Sequence, residues 1–164
     1  MNSTDLHPKV YAALIKYELM YKVFQCDPTL ADTAAFCEHY GFRPSQSANT
    51  IIIASKSLPV TYVCCVVLAT TKLDVNKKLR ELTGKKASFA SMDQTIGQTG
   101  MEIGGVTAIG IENMPIYIDS AVMLEKEIVL GGGNRSTKVL LNPQELKKIP
   151  TIEIIDGLAS LKVN

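Results

Sequence analysis

The sequence predicts an α/β-class fold of the mixed α+β kind, with a curved mixed sheet of six to seven strands surrounded by short helices in one domain spanning 1–164. Three observations predict it. β-Branched runs of strand length recur along the 164 residues, and short segments with helical periodicity and recognisable caps stand between them. No train of equal βαβ units is present, as a doubly wound sheet would require. A chain of this length buries about two thirds of the surface it exposes when unfolded, enough for one ordinary core.

The elements follow in order. In LHPKVYAALIKYELMYKV, Val10, Leu14, Ile15 and Leu19 are read on one helical face, with Pro8 tolerated in the first turn. YKVFQC is a short extended piece, and ADTAAFCEHY is a second helix stopped by Gly41. ANTIIIAS (48–55) and TYVCCVVLA (61–69) are buried strands joined through a turn at Leu58-Pro59. DVNKKLRELTG reads as a helix capped by Asp74 and ended by Gly84, with Val75, Leu79 and Leu82 inward. KKASFA is a short strand, and SMDQTIGQTG a short helix in which Ser91 and Gln94 form a capping-box pattern. GVTAIGI, PIYIDSAV, KEIVLGG and TKVLLN are expected as strands, Asn142-Pro143 opens a last helix, and TIEIIDGLA supplies a closing strand.

Composition narrows the function classes. No apolar run approaches the ~20 residues that span a bilayer, and MNSTDLHPKV lacks the basic start and apolar core of a secretory signal, so a cytoplasmic chain with reduced cysteines is expected. Cys26 and Cys37 are eleven positions apart, while the adjacent Cys64 and Cys65 must face opposite sides of a strand. All four read as structural. His7 and His39, the only histidines, have no second ligand type at helical spacing, so neither a zinc site nor a Ser-His-Asp or Cys-His set is expected.

Charge gives the first hint of a partner. Between Lys72 and Lys86, six cations (Lys72, Lys77, Lys78, Arg80, Lys85 and Lys86) face only Asp74 and Glu81, although the whole chain is near neutral at +1. The cluster is either a phosphate-gathering surface or a solvated helix with a Lys77–Glu81 pair. Two glycine loops are equally open. GGGNRSTK (131–138) lacks P-loop spacing and leads into a strand, and the Gly104-Gly105 pair within MEIGGVTAIGIENM fits no dinucleotide fingerprint. Each is a tight turn or a place where main chain approaches a ligand closely.

The series ADTAAFCEHYGFRPSQSANTIII, LDVNKKLRELTGKKASFAS, TGMEIGGVTAIGI, PIYIDSAVM and IVLGGGNRSTKVLLNPQEL resembles, in order and spacing, the YbaK-type aminoacyl-tRNA deacylases. These are free-standing relatives of the editing domain inserted in bacterial prolyl-tRNA synthetase, and the likeness covers about residues 10–150. It implies their fold and hydrolysis of the ester joining a wrong amino acid, here a small one on a proline tRNA, to the 3′-terminal ribose. The implied partners are the aminoacyl end of a mischarged tRNA and an aminoacyl-tRNA synthetase. No metal, cofactor or membrane is implied.

The resemblance also implies a site. Backbone N–H groups of Gly104 and Gly105 would hold the aminoacyl carbonyl while a ribose hydroxyl assists the attacking water, which accounts for the lack of a triad. Thr107 would add its hydroxyl, and Val106 and Ala108 would touch substrate. Gly132, Gly133 and Asn134 would form the other wall, with Arg135 or Lys138 reaching phosphate. Asp119 would either contact substrate or cap a turn, and Lys77, Lys78, Arg80 and Arg135 would contact tRNA. Two departures stand out: the family's G-x-x-x-P loop ends here in Ala108, and its lysine falls on Asn49, which can hydrogen-bond but carries no charge. Asn49 is therefore either a substitute catalytic group or the mark of a homologue that binds aminoacyl-tRNA or a synthetase without hydrolysis. A hydrolase acting on another small ester is the third reading.

Overall fold

Strand β2 (Ala48–Ser55) and strand β3 (Tyr62–Leu68) form the antiparallel centre of the computed structural model, which describes residues 5–163. Their β-branched runs are buried because the sheet is covered on both sides. Ile52 and Cys64 enter one apolar cluster, whereas Ile53 and Cys65 enter another, as the two-residue period demands. All four cysteines are free and buried, and burial pushes the Cys65 thiol up to about 12. That leaves little thiolate at neutral pH.

Around this pair the five-stranded sheet runs β5-β2-β3-β6-β9, adding β5 (Ala87–Phe89), β6 (Ile116–Asp119) and β9 (Ile152–Ile155). The β3–β6 and β6–β9 pairs are parallel. A second, antiparallel sheet orders β1 (Lys22–Gln25), β8 (Thr137–Leu141) and β7 (Ile128–Gly131), and β4 (Thr71–Leu73) pairs with β10 (Ala159–Leu161). A single bridge between Ser47 and Val129 ties the first sheet to the second. The mixed α+β class holds, but the one curved sheet of six or seven strands is instead sheets of five, three and two.

The helices match their caps better than their faces. Helix α1 (Pro8–Lys16) starts where the His7 ring accepts the Lys9 N–H. It buries Val10, Ala13 and Leu14, but Ile15 is 56% exposed and Leu19 lies beyond the helix end. With residues 10 and 14 inward, position 15 is turned about 100° away. Helix α2 (Thr33–Tyr40) ends at Gly41 with φ +77°, and α4 (Met92–Thr99) carries the reciprocal Ser91–Gln94 capping box. Helix α3 (Lys78–Thr83) begins later than its sequence suggests, although the Asp74 carboxylate does accept the Lys77 N–H at 3.0 Å. The expected Lys77–Glu81 ion pair does not form among the described residues. After β8, Asn142 caps a 3₁₀ helix at Pro143–Lys148.

One expected strand is absent. Residues 101–114 form successive turns, with Gly104 at φ +91° and Gly110 at φ +101°. Those angles lie outside the β region, so the segment cannot join a ladder. Ala108, Ile109, Ile111 and Met114 nevertheless reach the main core from this irregular chain. Beneath the junction of the sheets, Phe24, Phe36, Tyr40 and Phe42 form a cluster; the Phe24 ring meets Phe36 edge-on at 5.6 Å, and Phe36 stacks on Phe42 at 5.2 Å.

Candidate active site

At the corner where β2 meets β7, a cavity of about 350 Å³ opens. Its wall includes Asn49 and Thr50 from β2, Lys138 from β8, Phe36 from α2, and Gly104 and Val106 from the turn segment. The glycine turn is held by its carbonyl oxygens. Ile103 O accepts Arg135 Nη1 at 2.8 Å, Gly104 O accepts Lys138 Nζ at 3.1 Å, and Gly105 O accepts the Gly133 N–H at 2.7 Å. In a planar trans peptide the N–H points opposite to the C=O. Fixing the Ile103 carbonyl therefore aims the Gly104 N–H, and fixing the Gly105 carbonyl aims the Val106 N–H. Among the described residues neither of these two N–H groups has an acceptor, and both residues line the cavity. The intervening Gly105 N–H is closed into a turn with Glu102 O at 2.9 Å.

The glycines are needed for different reasons. Gly104 has the positive φ, and a Cβ there would collide with Arg135 Nη1; a Cβ on Gly105 would collide with the Asn134 carbonyl. Gly105 is thus a buried contact between the two loops rather than a cavity donor.

Asn49 accepts the Thr33 hydroxyl on Oδ1 at 2.8 Å, and its amide nitrogen has no acceptor among the described residues. Thr50 Oγ1 is buried with no partner. Lys138 is only 7% exposed; its Nζ donates to Ala31 O at 2.7 Å and Gly104 O and lies 5.3 Å from the centre of the Phe36 ring. An ammonium has three N–H donors, so one remains unpaired at the cavity wall. Burial draws the Lys138 pKa below that of an ordinary lysine, and among the described residues no carboxylate forms an ion pair with it.

Several expected site residues stand elsewhere. Thr107 is fully buried, its Oγ1 unpartnered, and it lies outside the cavity wall together with Ala108, because the chain dives into the core after Val106. Of the glycines in the second loop only Gly131 lines the cavity, joined by Lys138 at the loop's end. Gly133 backs the first loop, donating to Gly105 O and accepting the Glu102 N–H, whereas Gly132 accepts the His7 N–H and donates to Thr137 O; Asn134 Oδ1 accepts Ser136 and Thr137. Arg135 is engaged by Pro28 O, Ile103 O and the Asp32 carboxylate, the last at 3.2 Å, so it braces the loop. Asp119 is 2% exposed and accepts the N–H of Ala159, the first residue of β10, forty positions along the chain, and burial raises its pKa. Lys77 and Lys78 do not line the cavity; Arg80 borders a separate depression with Lys56 and Lys86. Sequence reasoning gave too little weight to Lys138 and missed Phe36 and Phe89; a lysine inside TKVLL, where every neighbour is apolar or small, was the available signal.

Fold and cavity define an α+β domain whose cavity wall carries main-chain N–H groups and one buried cation. The model of the aminoacyl-tRNA editing domain matches residues 27–149, and the chain belongs to that family. It is 33% identical over 87 residues to the Bacillus subtilis protein YwhH, described as uncharacterized; the match takes in 52% of this chain and 55% of that protein, so the chain spans about half the length of this curated relative. Two solved structures share the fold. The hypothetical protein APE2540 superposes with a TM-score of 0.82 at 21% identity, over 93% of this chain and 99% of that one. A candidate trans-editing enzyme for prolyl tRNA synthetase superposes with a TM-score of 0.77 at 20% identity, over 97% and 99% respectively. Among the described residues no helix is long and apolar enough to cross a membrane, and no group of three or more His, Cys, Asp or Glu side chains converges.

Proposed function

We propose that this chain is a trans-editing deacylase that hydrolyses the ester between a small amino acid and the terminal ribose of a mischarged tRNA, a proline tRNA in particular. The observation that carries this reading is the pair of free, oriented N–H groups of Gly104 and Val106 at the cavity wall. The ester carbonyl oxygen accepts from them. A water, polarised by the neighbouring ribose hydroxyl, adds to the carbonyl carbon, and the displaced electron pair makes an oxyanion that the two N–H groups stabilise. Collapse breaks the bond to the ribose oxygen, which takes the proton released by the water, leaving a free amino acid and uncharged tRNA. Donors placed in advance where negative charge develops are among the largest sources of rate.

The side chains around them orient rather than react. In this reading the Asn49 amide, its nitrogen free among the described residues, orients the ester, and the remaining Lys138 N–H adds positive charge on the same wall. A volume of about 350 Å³ lies near the lower end of the ~300–1,000 Å³ range of ligand pockets, which favours a small side chain.

The test is a panel of mischarged tRNAs, including alanyl, cysteinyl and seryl forms of the proline tRNA, incubated with purified protein. Release of amino acid above buffer from at least one is expected. No release from any of them overturns the reading, and tight binding of charged tRNA without release assigns the chain to sequestration instead.

A further inference from the structure

We propose that a trough beside the cavity carries the single-stranded 3′ end of the tRNA, with Phe89 as the stacking surface for a base; the inference rests on the substrate proposed above. Phe89 lines the wall of the cavity and also that of a neighbouring depression of about 530 Å³. This second depression is bordered by Lys56, Lys72 and Asp74, and a third, of about 260 Å³, by Lys56, Arg80 and Lys86. The shared Lys56 and Phe89 make one continuous track into the cavity.

The chemistry of the track fits a polynucleotide. Lys56, Lys72, Arg80 and Lys86 are exposed, and among the described residues none forms an ion pair or a side-chain hydrogen bond. The one carboxylate, Asp74, already accepts the Lys77 N–H. Phe89 is 61% exposed, yet its backbone is fixed in β5 opposite Ile53, and the next residue, Ala90, donates to Ile52 O. A rigid exposed ring next to unpaired cations is the arrangement that holds unstacked bases and their phosphates, because every base has a face to stack and each phosphate a charge to neutralise.

The experiment uses a fluorescent RNA hairpin with a four-nucleotide single-stranded 3′ tail and the same hairpin with a blunt end, titrated with the full chain and followed by anisotropy. Wild type should prefer the tailed hairpin. Phe89→Ala should weaken that binding by about 5- to 150-fold and leave the blunt hairpin unchanged, while Phe89→Tyr keeps the affinity. Each of Lys56→Ala, Lys72→Ala and Lys86→Ala should lower the salt slope by about 0.7. Equal affinity for both hairpins, or no change in Phe89→Ala, overturns the proposal. So does self-association of the chain that Phe89→Ala abolishes without affecting RNA.

Hydrolysis separates this proposal from the one it rests on. Wild-type deacylation with an unchanged KM in Phe89→Ala removes the trough and keeps the deacylase. Tail-dependent, Phe89-dependent binding without deacylation keeps the trough and removes the chemistry.

Discussion

Lys138 stands in a strand whose five residues are all buried; its ammonium bonds two carbonyls and lies over an aromatic ring, with Arg135, Asp32 and the Cys26 and Cys37 thiols acting on it electrostatically. Burial lowers its pKa from the ordinary 10.5, so between the folded and unfolded values the unfolded chain binds more protons, and stability rises with pH across that window. Below the folded value the lysine is charged in both states and the burial cost is present in full; above the unfolded value it is gone. The buried Cys64 and Cys65 thiols, raised instead, act in the opposite sense at alkaline pH. The test is therefore a difference: in urea denaturation, wild type should gain stability relative to Lys138→Met as pH rises from neutral to about 11.

Gly104 gives a second test at the same scale. Gly104→Ala should cost about 1–2 kcal/mol for the left-handed backbone and, by displacing Arg135 from the Ile103 carbonyl, lower kcat of the proposed deacylation by about 100-fold. Gly84 has φ +74° with open space around it, so Gly84→Ala should show the stability loss alone. Equal activity in the two variants would refute the role given to the Gly104 N–H. That two glycines mattered was legible in the sequence; that Gly104 and Val106, rather than Gly104 and Gly105, leave their N–H groups free was not. The orientation of those peptides is set by Arg135 and Gly133, about thirty residues away.

Among elements, the capped ones were the most legible. Ser91 and Gln94 bond reciprocally at α4, as their spacing predicts, and Gly41 closes α2. Ser91→Ala should cost about 1 kcal/mol by chemical denaturation. It should also loosen the wall that Ala90 and Thr95 give to the cavity, read as a higher KM rather than a lower kcat. The stretch 105–111 was misread as a strand because its alternation of small and apolar residues imitates a ladder. Gly104 just before it and Gly110 within it adopt angles that no ladder accepts, and β3 is already paired on its two edges by β2 and β6.

At the scale of the whole molecule, the cavity exists because two sheets meet at the Ser47–Val129 bridge rather than continuing as one. The family match ends at residue 149, yet the parts outside it support the site. His7 donates its N–H to Gly132 O ahead of α1, β1 covers the edge of β8 that carries Lys138, and β9 completes the five-stranded sheet with Ile155 and Leu158 in its core. We expect one cooperative unit: near- and far-ultraviolet circular dichroism should report coincident unfolding transitions, and a chain truncated after residue 149 should lose the transition altogether. Separate transitions would count against a single domain.

By itself the sequence determined the kinds of element, most of their boundaries and the reliance on glycine, since these depend on short-range periodicity, caps and turn chemistry. Only the tertiary structure decided which peptide N–H groups stay free, that Thr107 lies outside the cavity wall, and that a lysine from β8 lies buried where β2 offers an amide. Each of these follows from partners distant along the chain, whose positions are set when the sheets pack and not by any local rule.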